Sequence, residues 1–279
     1  MSKVSVARSL PQLMSKAKVG PTHLVIPDPH AKFGQDMRRF HWLGKIIIAE
    51  RPDTIICLGD LGDMESLSSY DKGTKGFEGR RYWKDIFAVH EALDIINSYI
   101  DKYNKDRKYK KYSPRMVMLY GNHENRINRA TNASSELDGT ISLEDLKYAE
   151  YGWEPVPFLE EIDIDGVAYS HYFVSGVMAR PIGGEHPATM LLNKRHKSCT
   201  AGHLHLADWS QRTVVGGKHI MGCLAGCYLE EDEDYVPKSV NQMWWKGLVI
   251  KRNVIDGVYD PQFLSLNTIK RMFGVKEGE

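Results

Sequence analysis

Five short pieces of this 279-residue chain carry side chains that bind metals or move protons. They are Asp28-Pro29-His30, Gly59-Asp60-Leu61-Gly62-Asp63, Gly121-Asn122-His123-Glu124, the single His171, and Gly202-His203-Leu204-His205. Carboxylates, imidazoles and a carboxamide together make a mixed oxygen–nitrogen donor set. Such a set suits Mn, Fe, Zn, Co or Ni better than Ca or structural Mg. A hydrolytic pair of cations sits about 3.5–4 Å apart. Something anionic must bridge the pair, and a carboxylate can use its oxygens on both ions. Neutral imidazoles and an amide oxygen fill other positions without adding negative charge. His203 and His205 share a face if their segment is extended; in a turn they diverge and could reach two ions. Gly59, Gly121 and Gly202 stand just before polar pieces, which predicts tight turns that project the ligands.

The elements that must hold these pieces are visible in the hydrophobic pattern. HLVIPDPH (23–30), TIICLGD (54–60) and MVMLYGNHE (116–124) each read as an apolar strand ending in a polar tip. Helical spacing over 35–50 and 85–103 joins them. Strand, helix, strand in alternation predicts a largely parallel sheet with right-handed crossovers. In such sheets ligands gather outside the carboxyl ends of the strands. After residue 160 the texture changes. Residues 161–173 alternate and contain Asp165-Gly166, a hairpin signal. Segments 198–201, 211–215, 218–224 and 246–251 read as further strands. A second sheet packed on the first is expected, with no linker between the halves. The expected organisation is an N-terminal arm over 1–20 and one domain over 21–279.

Composition removes several classes. Lys plus Arg number 37 and Asp plus Glu 36, a net charge of +1 that does not favour a strongly basic nucleic-acid binder. Four scattered cysteines do not form a disulfide framework, so a reducing compartment fits, with the cytoplasm as the default. No apolar run is long enough to span a membrane. Two basic–aromatic stretches, 72–84 (KGTKGFEGRRYWK) and 102–111 (KYNKDRKYKK), read as solvated charge first and as a phosphate or base platform second. The acidic run at 230–234 reads as a solvated loop. Oligomeric state is not readable.

Taken in order, D-x-H, G-D-x-x-D, G-N-H-E, H and G-H-x-H over residues 28–205 resemble the calcineurin-like metallophosphoesterase family. The stretch 66–85 and the Trp244-Trp245 pair are also similar in texture to members carried by bacteriophages. The resemblance implies a four-layer α/β/β/α sandwich of two mixed sheets. It implies two divalent ions, Mn²⁺ foremost, one held by Asp28, His30 and His205, the other by Asn122, His171 and His203, with Asp60 between them. It implies a metal-bridging hydroxide as nucleophile, His123 as proton donor to the leaving oxygen, and Asp63 as the carboxylate that orients His123. His171 is followed by Tyr172 where the family often has Gly, and His186 is the competing candidate. Protein phosphatases of the superfamily carry an Arg directly after the second Asp; here Met64 stands there. A phosphate-gripping cation would then come from Arg126, Arg129 or Arg180. The expected function is hydrolysis of phosphodiester bonds in a nucleic acid (DNA or RNA) or a nucleotide. A phosphomonoesterase or nucleotide pyrophosphohydrolase is the alternative, and a non-catalytic scaffold the remote one.

Overall fold

The structure is a computed structural model that describes residues 20–69, 72–232 and 237–274. The arm expected over 1–20 lies, but for Gly20, outside the described residues. The chain begins with β1 (His23–Ile26), α1 (Arg38–Glu50), β2 (Thr54–Cys57), α2 (Tyr82–Asn104), β3 (Arg115–Leu119), α3 (Asn125–Ala133) and β4 (Glu154–Val156). It continues with β5 (Ile162–Ile164), β6 (Val167–Tyr169), β7 (Val174–Ser175), β8 (Arg180–Pro181), α4 (Pro187–Arg195), β9 (Ser198–Ala201), β10 (Ala207–Thr213) and β11 (His219–Ala225). A single turn α5 (Lys238–Asn241), β12 (Gly247–Ile255), β13 (Val258–Ser265) and α6 (Leu266–Met272) follow.

Two mixed sheets result. The first runs β13-β12-β1-β2-β3-β4, with β1 to β4 parallel and β12 antiparallel to both its neighbours. The second runs β10-β11-β9-β6-β5, parallel in the middle and antiparallel at both edges. The inner strands of the first sheet are buried on both faces, β1 and β2 throughout, which is why they read as unbroken apolar runs. Leu24, Ile26, Ile55, Cys57 and Met118 point to a helical layer that includes α1, α2 and α6. Their neighbours Val25, Ile56, Val117 and Leu119 point the other way, onto Val167, Tyr169, Met221 and Cys223 of the second sheet. The far face of that sheet is covered by Ala188 and Leu191 of α4, which meet Ala168, Cys199 and Leu224. The layers are therefore α/β/β/α.

The expected Asp165-Gly166 turn joins β5 to β6, and both residues have positive φ (52° and 81°), as a two-residue hairpin of this twist requires. Besides the short β7–β8 hairpin, two strands of the large sheets are not apparent from the pattern. β4 and β13 are edge strands that each contain a proline, Pro155 and Pro261, and are largely exposed, so their apolar signal is diluted. Among the described residues no helix is long and apolar enough to cross a membrane.

A polar link ties the sheets at the end where β1 begins. Buried His23 places Nδ1 2.7 Å from the Tyr169 hydroxyl and Nε2 2.8 Å from Asp165 Oδ2. Lys251, its register partner on β12, is fully buried beside it. The Lys251 ammonium bonds Thr200 Oγ1 and lies over the rings of Tyr169 (4.6 Å) and Tyr259 (4.3 Å). Burial pushes its pKa down to about 8 and that of His23 down to about 4, although Asp165 opposes the latter.

A pH prediction follows from His23. Its folded pKa lies below its unfolded value near 6.5, so its contribution is fully present above pH 6.5 and is lost as pH falls toward 4. Each pH unit within that window removes up to about 1.4 kcal/mol. His23→Asn is expected to be less stable than wild type at pH 7.5, with the gap narrowing by pH 5. Urea denaturation at the two pH values checks this; a constant gap would show that His23 does not titrate there.

Candidate metal centre

The polar tips meet where the strand order predicted. Asp28 and His30 follow β1, Asp60 and Asp63 follow β2, and Asn122 and His123 follow β3. From the second sheet come His171, after β6, and His203 and His205, after β9. The candidate ligands thus come from both sheets. Five of them, Asp28, His30, Asp60, His203 and His205, have φ between 37° and 67°. Left-handed backbone at non-glycine residues costs roughly 1–3 kcal/mol each and clusters at functional sites.

Glycine serves a different purpose here than the sequence suggested at two of three positions. Gly59 does need its positive φ of 101°. Gly121 and Gly202 instead have ordinary φ and are required for space. A Cβ at Gly121 would lie 2.0 Å from Asp60 Oδ1, and one at Gly202 2.6 Å from Asp28 Oδ2. Each buried carboxylate lies against a bare backbone.

Asp60 Oδ2 is the hub. His171 Nε2 is 3.4 Å away, and the Nε2 atoms of His30 and His123 are each 3.8 Å away. These separations exceed a hydrogen bond. Those to His171 and His30 match the spacing of two donors that each lie about 2.1 Å from one shared ion, which is roughly 3–4 Å. The tautomers agree. His30 Nδ1 donates to Asp63 Oδ1 at 2.9 Å, and His171 Nδ1 donates to the Leu58 carbonyl at 2.8 Å. With Nδ1 so engaged, the Nε2 atom of each ring is the one turned inward, as second-sphere acceptors arrange for ligating histidines. His171 Nε2 then faces Asn122 Oδ1 at 2.8 Å and Asp60 Oδ2, three electron-rich atoms together. Asp28 Oδ1 and His30 Nε2 are buried with no hydrogen-bond partner. Converging acceptors with two orphans among them fit cations.

Two triads have donor atoms within 4.8 Å of one another, His30-Asp60-His123 and Asp60-His171-His203, and Asp60 belongs to both. The pair is consistent with a dinuclear site. Asp28 closes on it from the side, with Oδ1 3.5 Å from His171 Nδ1 and Oδ2 3.9 Å from His205 Nε2. His186, by contrast, is exposed at the start of α4.

Electrostatics separate the histidines. Burial holds His171, His203 and His205 below the usual imidazole range, His203 at about 4, so these rings are neutral as ligands must be. His123 is also buried, but the Asp60 and Asp63 carboxylates overcome that and raise it. Its Nδ1 lies 2.9 Å from Asp63 Oδ1 and 2.6 Å from the Asp63 carbonyl. Asp63 therefore holds both His30 and His123. Burial and the Asp60 charge push Asp28 well up. Burial acts the same way on Asp60, but His171, His123 and His30 outweigh it and hold that carboxyl low.

The cluster opens into a cavity of about 930 Å³, near the upper end for ligand pockets. Lys32, Arg80 and Arg126 line it, with Glu231 and Asp232 on the rim and Trp244 set edge-on against the His205 ring at 4.3 Å. Of the acidic run, Glu231 and Asp232 line the cavity, Asp232 paired to Lys246, while Glu230 pairs with Lys270; residues 233 and 234 lie outside the described residues. Arg126 donates from Nη1 to the carbonyls of Asp63 (2.9 Å) and Met64 (3.3 Å), and its Nη2 is 3.3 Å from His123 Nε2. Arg129 lines the adjoining groove. Arg180 is exposed on the β7–β8 hairpin and is not among the residues lining the cavity.

No family model matches the sequence, and a search among curated proteins finds no match. Solved structures do resemble it. One is YfcE, a phosphoesterase from E. coli, at 13% identity and a TM-score of 0.36, covering 88% of this chain and 100% of that one. A second, from Thermus thermophilus, gives 7% identity and the same TM-score over 88% of this chain and 99% of its own. The functional reading below stands on the geometry of the site itself.

One residue of the GNHE piece has a role that its type did not reveal. Glu124 is fully buried and accepts the backbone N–H groups of Asp60 (2.9 Å), Leu61 (2.8 Å) and Gly121 (2.8 Å), together with the Tyr148 hydroxyl (3.0 Å). It fastens the loop after β2 to the loop after β3. Burial and the Asp60 charge push its pKa up, while the Gly121 N–H and the Tyr148 hydroxyl oppose them. In Glu124→Gln an NH₂ must face N–H donors, at an expected cost of about 3 kcal/mol. A matching fall in the denaturation free energy checks this; an unchanged value would remove Glu124 as the clamp.

Proposed function

We propose that the chain is a dinuclear-metal phosphoesterase that hydrolyses phosphodiester bonds. The observation that carries the reading is the Asp60 carboxylate, with one oxygen faced by three imidazole Nε2 atoms and shared by two donor triads. Asp28, His30, Asp60 and His205 would hold one ion; Asp60, Asn122, His171 and His203 the other. When bound, two such cations offset charge on the phosphoryl oxygens and bring the pKa of water toward neutrality.

The chain's own residues do the rest. His123 is the histidine pushed toward its protonated form, and its Nε2 faces the cavity beside Asp60. It is the proton donor to the leaving oxygen. Asp63 orients that ring, and also fixes His30. Arg126 takes the place of the arginine missing at Met64. The Asp63 and Met64 carbonyls hold its guanidinium at the cavity wall, next to His123. There it can grip a phosphoryl oxygen as the ester aligns. The roomy cavity and the insert over 72–84 on its wall favour a diester over a compact monoester.

The test uses metal-stripped protein with Mn²⁺ restored and bis(p-nitrophenyl) phosphate as substrate. Hydrolysis is expected with metal and not with chelator. His123→Ala should lower kcat by about 10²–10⁴-fold, and Asp60→Asn should remove both activity and metal. Arg126→Ala should raise KM for the diester. Full activity in Asp60→Asn and His123→Ala would sink the mechanism. Faster turnover of p-nitrophenyl phosphate would replace the diester reading by the monoester one.

A further inference from the structure

Three large aromatic rings lie exposed beside the cavity, and the mechanism above does not use them. Phe33 is 42% exposed, Trp83 59% and Phe87 51%. Trp83 and Phe87 stand one turn apart on α2. Phe33, from the loop after β1, meets both edge-on, at 5.5 and 5.6 Å between centroids. The Lys84 ammonium lies over the rings of Phe33 (5.4 Å) and Trp83 (5.8 Å). Three exposed aromatic rings in mutual contact are the kind of clustered apolar surface that interaction sites use.

The patch is continuous with the candidate active site. Lys32 and Gln35, which flank Phe33, line the cavity, as do Thr74, Gly76 and Arg80 just before Trp83. The stretch 72–84 carries five cations against one carboxylate, Glu78. The second basic stretch, 102–111, sits at the far end of α2, a helix about 33 Å long. The first of the two lines the cavity through Thr74, Gly76 and Arg80.

We infer that Phe33, Trp83 and Phe87, with Lys84 and the cations of 72–84, form a platform for single-stranded nucleic acid leading to the metal cavity. The inference rests on the phosphodiesterase reading and names its substrate class as a strand rather than a small nucleotide. Ring faces stack on bases, which a single strand exposes and a duplex hides. Cations interleaved with the rings meet the phosphates. A strand held there would extend a phosphodiester through the cavity mouth.

The experiment measures anisotropy of a fluorescein-labelled oligothymidylate of about a dozen nucleotides, with chelator present so that nothing is cleaved. Wild type is expected to bind with an affinity that falls as salt rises. The same sequence in duplex form should bind more weakly. Trp83→Ala/Phe87→Ala should weaken binding about tenfold or more, and Lys84→Glu should weaken it and flatten the salt dependence. All three side chains are partly or largely exposed, and thermal melting verifies folding. Absence of binding by wild type, equal binding by the variants, or equal binding of the duplex overturns the platform. A dimer in gel filtration that the double variant loses would also overturn it, by assigning the rings to a second copy of the chain. The chromogenic diester separates the two ideas: hydrolysis without strand binding overturns the platform alone, and strand binding without hydrolysis supports the platform while overturning the catalytic reading.

Discussion

A carboxylate this deeply buried has to be met by positive or proton-bearing partners, and Asp60 is such a carboxylate at 2% exposure. Its Oδ1 takes the His123 N–H at 2.8 Å, and its Oδ2 faces the imidazoles of both sheets. Everything around it answers to that charge. Gly121 gives up a side chain to make room for it. Glu124 pins the backbone that presents it. His123 is raised and His171 lowered in the same field: burial opposes both charges, but at His123 the Asp60 and Asp63 carboxylates outweigh it, whereas at His171 burial outweighs Asp60 and the Leu58 carbonyl.

Much of this was legible in the sequence, for physical reasons. Strands covered on both faces must be apolar throughout, so β1, β2 and β3 stood out, and parallel strands put their polar tips at one edge. Other features were hidden because residue type underdetermines environment. Nothing about the letter Glu at 124 says whether it faces water or four backbone donors. The adjacent Trp244 and Trp245 look alike, yet the first walls the cavity and the second packs between the sheets with Phe263. Arg126 could be weighed against Arg129 and Arg180 only once α3 and the β7–β8 hairpin had positions.

The backbone around the ligands is itself informative. Single residues in the left-handed region are normally glycine or asparagine. Here aspartate and histidine adopt it five times at the site because their side chains must turn back toward one point. Local propensity is sacrificed where convergence is needed, and the two hydrophobic cores on either side of the first sheet supply the rigidity that keeps it so.

The His23 link has one more consequence. His23 stands five residues ahead of Asp28 on one sheet, and Asp165 six ahead of His171 on the other. Protein side chains bind the sheets to each other there, like the spine of a book. At the opposite margin the pages meet again, where the His171 imidazole donates to the Leu58 carbonyl and the His203 N–H to Asp28 Oδ2. Between the two margins the apolar core of Val25, Ile56, Val117, Val167 and Tyr169 sets how far the pages stand apart. The sheets are thus latched at both margins, and an ion entering the site would meet a frame already closed by the protein's own hydrogen bonds.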